Sequence, residues 1–322
     1  MNAPRTAAGV VLGYLHVQAQ ALRHNGEQFI AGESTAIHQL RVTTRRLRSV
    51  LASFELVLDA ETSRVARAEL KWFAGVLGAA RDVEVIRARL LEHLEGDGLA
   101  RFAGVDRRLG TESREARAAV GQVILSPRFT ALVVGLERMV GAGTLSAGAG
   151  AGAGAGGAGI GPSTDVSSSD VSSSDVSSSD VSSSDVSSSD VSSSGRSVRA
   201  ELTAMIRKDL KRLRRSVRRV RKVDDQHDRD LVLHEVRKNA KRLRYACECA
   251  APDTGKRVRR LGRAAQVIQE VLGEHQDSVA LREWLSTQDD LPGAQIVTAE
   301  ELLAFRSEDA FHEAWGEFPR KL

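Results

Sequence analysis

The sequence predicts an all-α protein built from two related helical halves. Outside one low-complexity stretch, apolar residues recur every three or four positions, as in amphipathic helices, while glycine and proline are sparse. The same segments lack the apolar–polar alternation of a half-buried strand. A basic sequence pattern also occurs twice, once on each side of the low-complexity stretch. Together these features favour two helical bundles related by internal duplication.

The helical spacing predicts nine helices. Five precede the low-complexity stretch, near residues 8–24, 34–58, 62–94, 100–120 and 126–140. Four follow it, near residues 197–222, 227–250, 255–285 and 298–315. Ser34 is the predicted N-cap of the second helix, because a serine hydroxyl there accepts from a free backbone N–H group of the first turn.

The low-complexity stretch spans residues 141–195 and separates the halves. Its first part, residues 141–162, is almost entirely glycine and alanine, and from Asp165 the unit Asp-Val-Ser-Ser-Ser repeats six times. Such a composition buries too little apolar surface to offset the entropy of ordering, which predicts a disordered linker. Serine phosphorylation or calcium binding by its aspartates is the alternative interpretation. The prediction is one domain made of residues 1–140 and 196–322, joined by this linker.

Composition narrows the classes of function. The chain carries a formal charge of +4, but the linker holds six aspartates and no other charged residue, so the rest carries +10. That excess favours anionic partners. The two cysteines, Cys247 and Cys249, are too few for a disulfide framework or a zinc site. Because the sequence contains neither a signal-peptide pattern nor an 18-residue apolar run, we expect a soluble, cytoplasmic protein without a membrane span.

The repeated basic pattern is H-x-x-R-x-x-x-[RK]-R-L-R. It occurs at residues 38–48 and again at residues 234–244. A second block follows each copy: Leu77-Gly-x-x-Arg-Asp begins 39 residues after His38, and Leu272-Gly-x-x-Gln-Asp begins 38 residues after His234. Two matched blocks at nearly equal separation indicate an internal duplication, with a pseudo-twofold axis between the halves.

On a helix, each copy of the pattern places its cations on one face and its apolar residues on the other. In the first copy the basic face holds His38, Arg41, Arg45 and Arg48, which fall within about 80° of one another. In the second copy it holds His234, Arg237, Lys241 and Arg244. Leu40, Leu47 and Leu51 lie opposite the first basic face, and Val236, Leu243 and Cys247 lie opposite the second.

Stacked cations repel, so acids from neighbouring helices or a ligand must supply negative charge. A phosphate ligand suits arginine, which presents two parallel N–H donors to phosphate oxygens. The alternative is a solvated basic face. Nearby cations hold His38 and His234 neutral, so each is expected to donate to a phosphate or orient an arginine, unless a backbone carbonyl satisfies it. Without an accompanying carboxylate or set of metal ligands, we predict no catalytic residue and no metal site.

A third basic element follows the linker. Its helix carries an apolar stripe that is expected to pack into the bundle, and its polar face adds the binding candidates Lys208, Lys211, Arg212 and Arg215. A membrane-surface helix or a calmodulin-type target is the alternative for such a segment. Asp82 and Asp277, which end the second block in each half, are predicted to be structural acids that orient basic residues.

The two motif copies, with the later Leu-Gly-x-x-Arg81-Asp82 block, resemble the CHAD family, the conserved histidine α-helical domain. The similarity covers both halves. The resemblance implies two four-helix bundles around a basic cavity, and binding of inorganic polyphosphate, with association with polyphosphate granules in some members. Carried onto this sequence, the implied binding residues are His38, Arg41, Arg45, Arg46, Arg48, His234, Arg237, Lys241, Arg242 and Arg244. Gln276 departs from the pattern, because it stands where the first half has Arg81.

Polyphosphate binding without catalysis is therefore the leading functional hypothesis. Generic nucleic-acid binding is a rival, although only Tyr245 is predicted to lie on a basic face and stacking on bases has little support. A phosphohydrolase or phosphotransferase acting on polyphosphate would need acidic metal ligands or an activated nucleophile facing the cavity. A scaffold that docks an acidic protein on its basic face is the third alternative. No cofactor is predicted.

Overall fold

The computed structural model describes residues 6–94, 97–149, 198–288 and 293–320. Within these ranges the chain folds as α-helices with one short 3-10 turn and no strand, which confirms the predicted all-α class. The Asp-Val-Ser-Ser-Ser repeats, and the rest of the predicted linker beyond residue 149, lie outside the described residues.

Each predicted helix is present among the described residues. The first half, residues 6–149, contains α1 (Ala7–Ile30), α2 (Ala36–Ser53), α3 (Ala60–Glu92), α4 (Asp97–Ile124) and α5 (Pro127–Ala149), with the 3-10 turn Glu55–Val57 between α2 and α3. The second half, residues 198–320, contains α6 (Val198–Val220), α7 (Gln226–Thr254), α8 (Lys256–Ser286) and α9 (Ala294–Gly316).

Several predicted boundaries were wrong. Helix α1 continues to Ile30, past the predicted end near residue 24, and α2 ends at Ser53, before the predicted end near residue 58. The helix α5 continues to Ala149, nine residues into the range predicted as linker, because extending an existing helix costs less than starting one. Ser34 is not the N-cap of α2. Thr35 occupies that position in a right-handed helical conformation and makes no side-chain capping hydrogen bond.

A continuous apolar core extends through both halves. On α2 the predicted apolar face is buried completely, with Leu40, Leu47 and Leu51 each 0% exposed. On α7 the corresponding face, including Val236 and Leu243, is equally inaccessible, and it belongs to the same core cluster. Burial of this stripe on both motif helices fixes which faces remain available to a ligand.

The helix α6 packs into this core, as predicted. Its apolar stripe, which comprises Leu202, Ile206, Leu210, Leu213 and Val217, is buried. The opposite side of α6 keeps its lysines and arginines at the surface. The amphipathic pattern of α6 therefore serves the bundle itself, and its basic face is directed outwards.

A polar network joins the halves beside a smaller apolar cluster of α3, α4, α8 and α9. The Glu300 carboxylate of α9 is fully buried and contacts Arg89 of α3, at 3.1 Å from Nη2 to Oε2, and His93, the residue after α3, at 2.6 Å from Nε2 to Oε1. The hydroxyl of Ser278 also donates to the carboxylate of Glu300. A buried carboxylate needs such partners, and here they are supplied by both halves of the chain.

The motif helices also meet across the halves. Helix α2 contacts α7, and α3 contacts α8. Each of these pairs joins helices that carry the same block of the duplicated sequence. The two copies of the basic pattern are therefore brought side by side.

In the described part of the chain, no single helix has the length and apolar character needed to cross a membrane. By those two criteria alone, only the pair formed by Phe102–Ile124 and Pro127–Gly141 would pass, and its two members are bent by 58° at their junction.

Candidate functional site

Four cations meet where α2 and α7 contact each other. Arg41 and Arg45 come from α2, and Arg237 and Lys241 come from α7. Burial, followed by the charges of Arg237, Arg45 and Arg41, lowers the pKa of Lys241 to about 7. Burial and the charge of Arg45 also contribute most to lowering the pKa of Arg41, to about 10. The electrostatic potential here is strongly positive before any ligand arrives.

The positions of these cations follow the duplication. An offset of 196 residues converts Arg41 into Arg237 and Arg45 into Lys241. Arg45 is close enough to Arg237 to lower its pKa, and Arg41 likewise contributes to lowering the pKa of Lys241. The offset of 196 residues relates the Arg45–Arg237 pair to the Lys241–Arg41 pair. The two motif copies therefore bring their cations together in the same way at both pairs.

In each half, the second block of the repeated pattern lies against the histidine of the first block. In the second half, Nδ1 of His234 is hydrogen-bonded to the side-chain oxygen of Gln276. In the first half, Arg81 replaces the glutamine and helps to lower the pKa of His38, after the larger effects of burial, Arg45 and Arg41. His234 therefore has a neutral hydrogen-bond partner in Gln276, whereas His38 lies near the cation Arg81, which opposes its protonation.

The two predicted structural acids lie near the arginines of the motif. The charge of Asp277 raises the pKa of Arg237, although burial lowers it more. Asp82 acts in the same direction on Arg41. Neither aspartate forms an ion pair within 4.0 Å among the described residues, and Asp82 is exposed. Their influence on the arginines is therefore exerted through the field rather than through a direct salt bridge.

An open pocket of about 1000 Å³ lies beside this crossing. We call it the cationic pocket, and it is lined by Arg45, Arg48, Ser49, Ala52, Arg64, Arg67, Ala68, Lys71, Arg212, His234, Glu235, Lys238, Asn239, Lys241 and Arg242. Nine of these fifteen residues are lysine or arginine, and Glu235 is the sole acid among the described residues that line the pocket. Four helices, α2, α3, α6 and α7, contribute to it.

Part of the positive charge in the pocket is unpaired. Arg45, Arg48, Lys71 and Lys241 form no salt bridge within 4.0 Å in the described part of the chain, and Nε of Arg45 is buried without a hydrogen-bond partner. Glu235 is itself held by Lys238, at 2.9 Å from Oε2 to Nζ. A buried guanidinium N–H without an acceptor is costly, so an anion entering the pocket would find donors already in place.

The structure brings together six of the predicted binding residues. Those that line the pocket are Arg45, Arg48, Arg212, His234, Lys241 and Arg242. Arg242 also has a structural role, because its Nε lies 2.9 Å from Oδ1 of the buried Asp209 and its guanidinium donates to the backbone oxygen of Ala52. His38, Arg41 and Arg237 lie near the crossing but do not line the pocket.

Other predicted residues point away from the pocket. Arg46 pairs with Glu248, at 2.9 Å from Nη2 to Oε1, and Arg244 donates to Gln269. Both guanidinium groups stand over the ring of Tyr245. This ring is only 3% exposed, so the expectation that Tyr245 lies on a basic surface was wrong. Buried beneath two arginines, it is not available for stacking on a base.

Three predicted candidates on α6 lie outside the pocket lining. Nζ of Lys208 lies 3.2 Å from Oε1 of Glu55, whose other oxygen faces Arg67 at 3.7 Å. Lys211 and Arg215 are exposed on the surface of α6.

Sequence reasoning missed four basic residues of the pocket, namely Arg64, Arg67, Lys71 and Lys238. The first three recur at spacings of three and four on α3, which places them on one face of that helix. This spacing was a signal in the sequence, but it lies outside both motif blocks. Only the packing of α3 against α2 turns the face towards the pocket.

The described residues contain no group of three or more histidine, cysteine, aspartate or glutamate side chains placed to hold a metal ion. Cys247 and Cys249 are free and buried, and burial raises the pKa of both thiols, to about 12 for Cys249. Thiols in such surroundings are inert as nucleophiles.

Comparison with known proteins agrees with this architecture. The sequence model of the CHAD domain matches residues 13–286. Two proteins of Mycobacterium tuberculosis, MT2285 of strain CDC 1551 / Oshkosh and Rv2226 of strain ATCC 25618 / H37Rv, are each 28% identical over 301 residues. The match covers 89% of this chain and 47% of theirs, so the chain spans about half the length of these curated relatives.

Two solved structures share the fold. The crystal structure of the CHAD domain from the plant Ricinus communis superposes with a TM-score of 0.64 at 21% identity, covering 99% of this chain and 94% of that one. PptA from Streptomyces chartreusis gives the same TM-score at 17% identity, covering 97% of this chain and all of that one. At these identities the likeness establishes the fold.

Proposed function

Since this chain belongs to the CHAD domain family, we propose that it binds inorganic polyphosphate in the cationic pocket and does not turn it over. Membership of this family supports a polyphosphate-associated role in general. The pocket supplies the specific argument, because its described lining has nine lysine and arginine side chains from four helices and a single carboxylate.

The chemistry of these donors suits a chain of phosphates. Arg45 and Arg48 present guanidinium groups that match pairs of phosphate oxygens, and Lys71 and Lys241 supply point charges. All four are without an ion-pair partner in the described ranges, so a ligand need not displace an internal acid from them. His234 lines the pocket, but its Nδ1 donates to the side-chain oxygen of Gln276, so Nε2 of the neutral ring carries a lone pair and the donors to phosphate come from the lysines and arginines.

Binding without turnover is the form of the proposal that the pocket supports best. Hydrolysis or phosphoryl transfer would use a carboxylate as general base or as metal ligand. Glu235, the single acid of the lining, is engaged by Lys238 and by the amide of Asn239. Incubating the protein with polyphosphate and divalent cations and measuring released phosphate tests this part, and turnover that Glu235→Gln abolishes would contradict it.

Binding of labelled long-chain polyphosphate over a salt series tests the proposal as a whole. Each neutralised phosphate releases counterions, so affinity should fall steeply as salt rises. We expect Arg45→Ala/Lys241→Ala to weaken binding by about 100-fold at low salt and to flatten the salt dependence. The matched control is Arg259→Ala/Arg263→Ala, which removes two exposed arginines from α8 outside the pocket and should change affinity little.

Competition separates this proposal from generic nucleic-acid binding. An excess of duplex DNA, matched in phosphate concentration, should displace little polyphosphate from the wild type. Equal displacement by DNA, or an unaffected pocket variant, would refute a dedicated polyphosphate site. Association with polyphosphate granules and a cytoplasmic location are further parts of the proposal, and imaging of a fluorescent fusion alongside a polyphosphate stain tests both.

A further inference from the structure

A row of cations leads out of the cationic pocket along α6. Lys208, Arg212, Arg215 and Arg219 are separated by three or four residues, so they project from one side of the helix within about 60° of one another. We call them the α6 stripe. At 1.5 Å per residue, the stripe runs about 16 Å along the helix axis. Its members therefore stand on the same face, one helical turn apart.

The stripe begins at the pocket. Arg212 lines the pocket. Lys208 is tied to its rim through Glu55, which contacts both Lys208 and the pocket residue Arg67. From Arg212, the next two members lie farther along α6, towards its C-terminal end at Val220. A polyanion held in the pocket could thus continue onto the stripe without crossing an acidic surface of α6, because Asp209 is buried beneath Arg212 and Arg242.

The outer members are free to bind. Arg215 and Arg219 are exposed, and neither forms a salt bridge within 4.0 Å among the described residues. Lys211, on one flank of the stripe, and Lys222, just beyond the end of α6, are also exposed. The apolar side of α6 is buried in the core, which fixes the rotation of the helix and holds the stripe outwards. Within the stripe, Lys208 and Arg212 each have an acid within 4.0 Å, whereas Arg215 and Arg219 are held outwards on a fixed helix face without one.

We propose that the α6 stripe is an exit track that selects long polyphosphate chains over short ones. This inference rests on the proposed function. A short chain is satisfied by the pocket alone. A long chain held at one point in the pocket lays its next phosphates along Arg215 and Arg219 at a high effective concentration, since both sites belong to the same polymer. A chain too short to reach from the pocket to Arg215 and Arg219 gains nothing from the stripe, so the protein prefers long chains.

The test compares two probes, inorganic tripolyphosphate and long-chain polyphosphate, with wild type and Arg215→Gln/Arg219→Gln. The variant should bind tripolyphosphate within about twofold of wild type and long-chain polyphosphate roughly ten-fold more weakly at low salt. With about 0.7 counterions released per contact on a single strand, the loss of two contacts should lower the slope of log affinity against log salt by about 1.4.

The control variant Arg259→Gln/Arg263→Gln removes the same charge, at the same spacing of four residues, from an exposed face of α8. An equal loss of long-chain affinity in this control would overturn the track, because net charge alone would then account for it. The track would also fail if Arg215→Gln/Arg219→Gln left long-chain binding unchanged or weakened the binding of both probes alike.

Failure of wild type to bind either probe would instead refute the proposed function, and the track with it. Loss of both probes in Arg45→Ala/Lys241→Ala, with tripolyphosphate binding retained in the stripe variant, is the pattern that supports pocket and track together.

Discussion

Arg46 and Arg242 occupy equivalent positions in the two motif copies, and each contacts the residue that lies six positions beyond its counterpart on the opposite helix. Arg46 pairs with Glu248, six residues after Arg242, and Arg242 donates to the backbone oxygen of Ala52, six residues after Arg46. Reciprocal contacts of this kind are typical of a twofold interface. The second residue of the R-R-L-R run in α2 and of the K-R-L-R run in α7 therefore fastens α2 to α7.

The two fastening arginines should differ in their effect on stability. Arg242→Ala leaves the carboxylate of Asp209, which is 2% exposed, without its closest cation, and we expect a loss of about 3 kcal/mol in the free energy of unfolding. Arg46→Ala should cost about 1 kcal/mol or less, because the Glu248 side chain remains 34% exposed to water. Urea denaturation of both variants measures this difference.

The double variant Arg242→Ala/Asp209→Asn is the control for this prediction, since it removes the stranded charge as well. It should recover part of the stability that Arg242→Ala loses. Equal losses for Arg46→Ala and Arg242→Ala would show that burial of Asp209 is not what distinguishes the two sites.

Polyphosphate affinity should fall as pH rises through neutrality, because of Lys241. Burial and the charges of Arg237, Arg45 and Arg41 lower the pKa of this lysine to about 7, while Asp277 opposes them. Below that value the lysine is protonated and adds a charge to the pocket; above it the amine is neutral and the charge is lost. Burial, with the charges of nearby cations, lowers the pKa of His38 and of His234 below the ordinary 6.5, so their protonation falls on the acidic side of the Lys241 transition.

Isothermal titration across the neutral range measures this dependence, and Lys241→Arg is the control. Arginine stays protonated throughout, so this variant should bind with an affinity that changes much less with pH. A wild-type affinity that is constant between mildly acidic and mildly alkaline buffer would contradict the prediction. A pH dependence that persists unchanged in Lys241→Arg would assign it to another group.

The equivalent glycines Gly78 and Gly273 should respond differently to alanine. A Cβ atom on Gly273 would lie 3.1 Å from Nη2 of Arg237, whereas one on Gly78 would meet nothing within 4 Å. Gly78→Ala should therefore raise the free energy of unfolding by about 1 kcal/mol, the helix-propensity gain of alanine. Gly273→Ala should show little or no such gain, because the Arg237 guanidinium must move by a few tenths of an ångström.

Thermal unfolding of the two glycine variants, with polyphosphate binding measured in parallel, checks this pair. The expected signature is a stabilised Gly78→Ala beside a Gly273→Ala whose stability is unchanged or reduced. Equal stabilisation of both variants would mean that Arg237 does not need the space that Gly273 leaves.

Glu300 should make the protein sensitive to acid. Burial alone would raise the pKa of its carboxyl, but hydrogen bonds from Ser278, His93 and Arg89 hold the pKa below its ordinary value of 4.5. The unfolded chain therefore takes up the proton more readily, so this contribution to stability is present above pH 4.5 and is lost as pH falls through the folded-state pKa.

Glu300→Gln should cost about 2 kcal/mol near pH 7, where the charge-assisted hydrogen bonds to Arg89 and His93 are weakened. Its Tm should also decline less steeply than that of wild type as the buffer is acidified. Parallel acid-side Tm profiles for wild type and Glu300→Gln would contradict a role for this carboxyl in acid unfolding.

Much of the fold could be predicted because helical periodicity is local. In the sequence, the apolar residues of α2, α6 and α7 recur every three or four positions, and the burial of Leu40, Leu213 and Leu243 confirms the predicted apolar stripes. Helix ends were less predictable. The end of α5 was placed too early, because a glycine- and alanine-rich composition suggested a break, whereas the helix continues to Ala149.

The sequence by itself determined that the protein is helical and that two segments carry the same basic pattern, because both depend on residue types at short, regular spacing. Tertiary structure alone decided the roles within that pattern. A helix projection cannot tell that Arg45 faces an open pocket while Arg46, the next residue, faces Glu248 on another helix. Nor could it place Arg67 of α3 and Arg212 of α6 in that pocket, because they meet only when distant helices pack. Spacing along the chain fixes the face on which a side chain lies, and packing between helices fixes what that face meets.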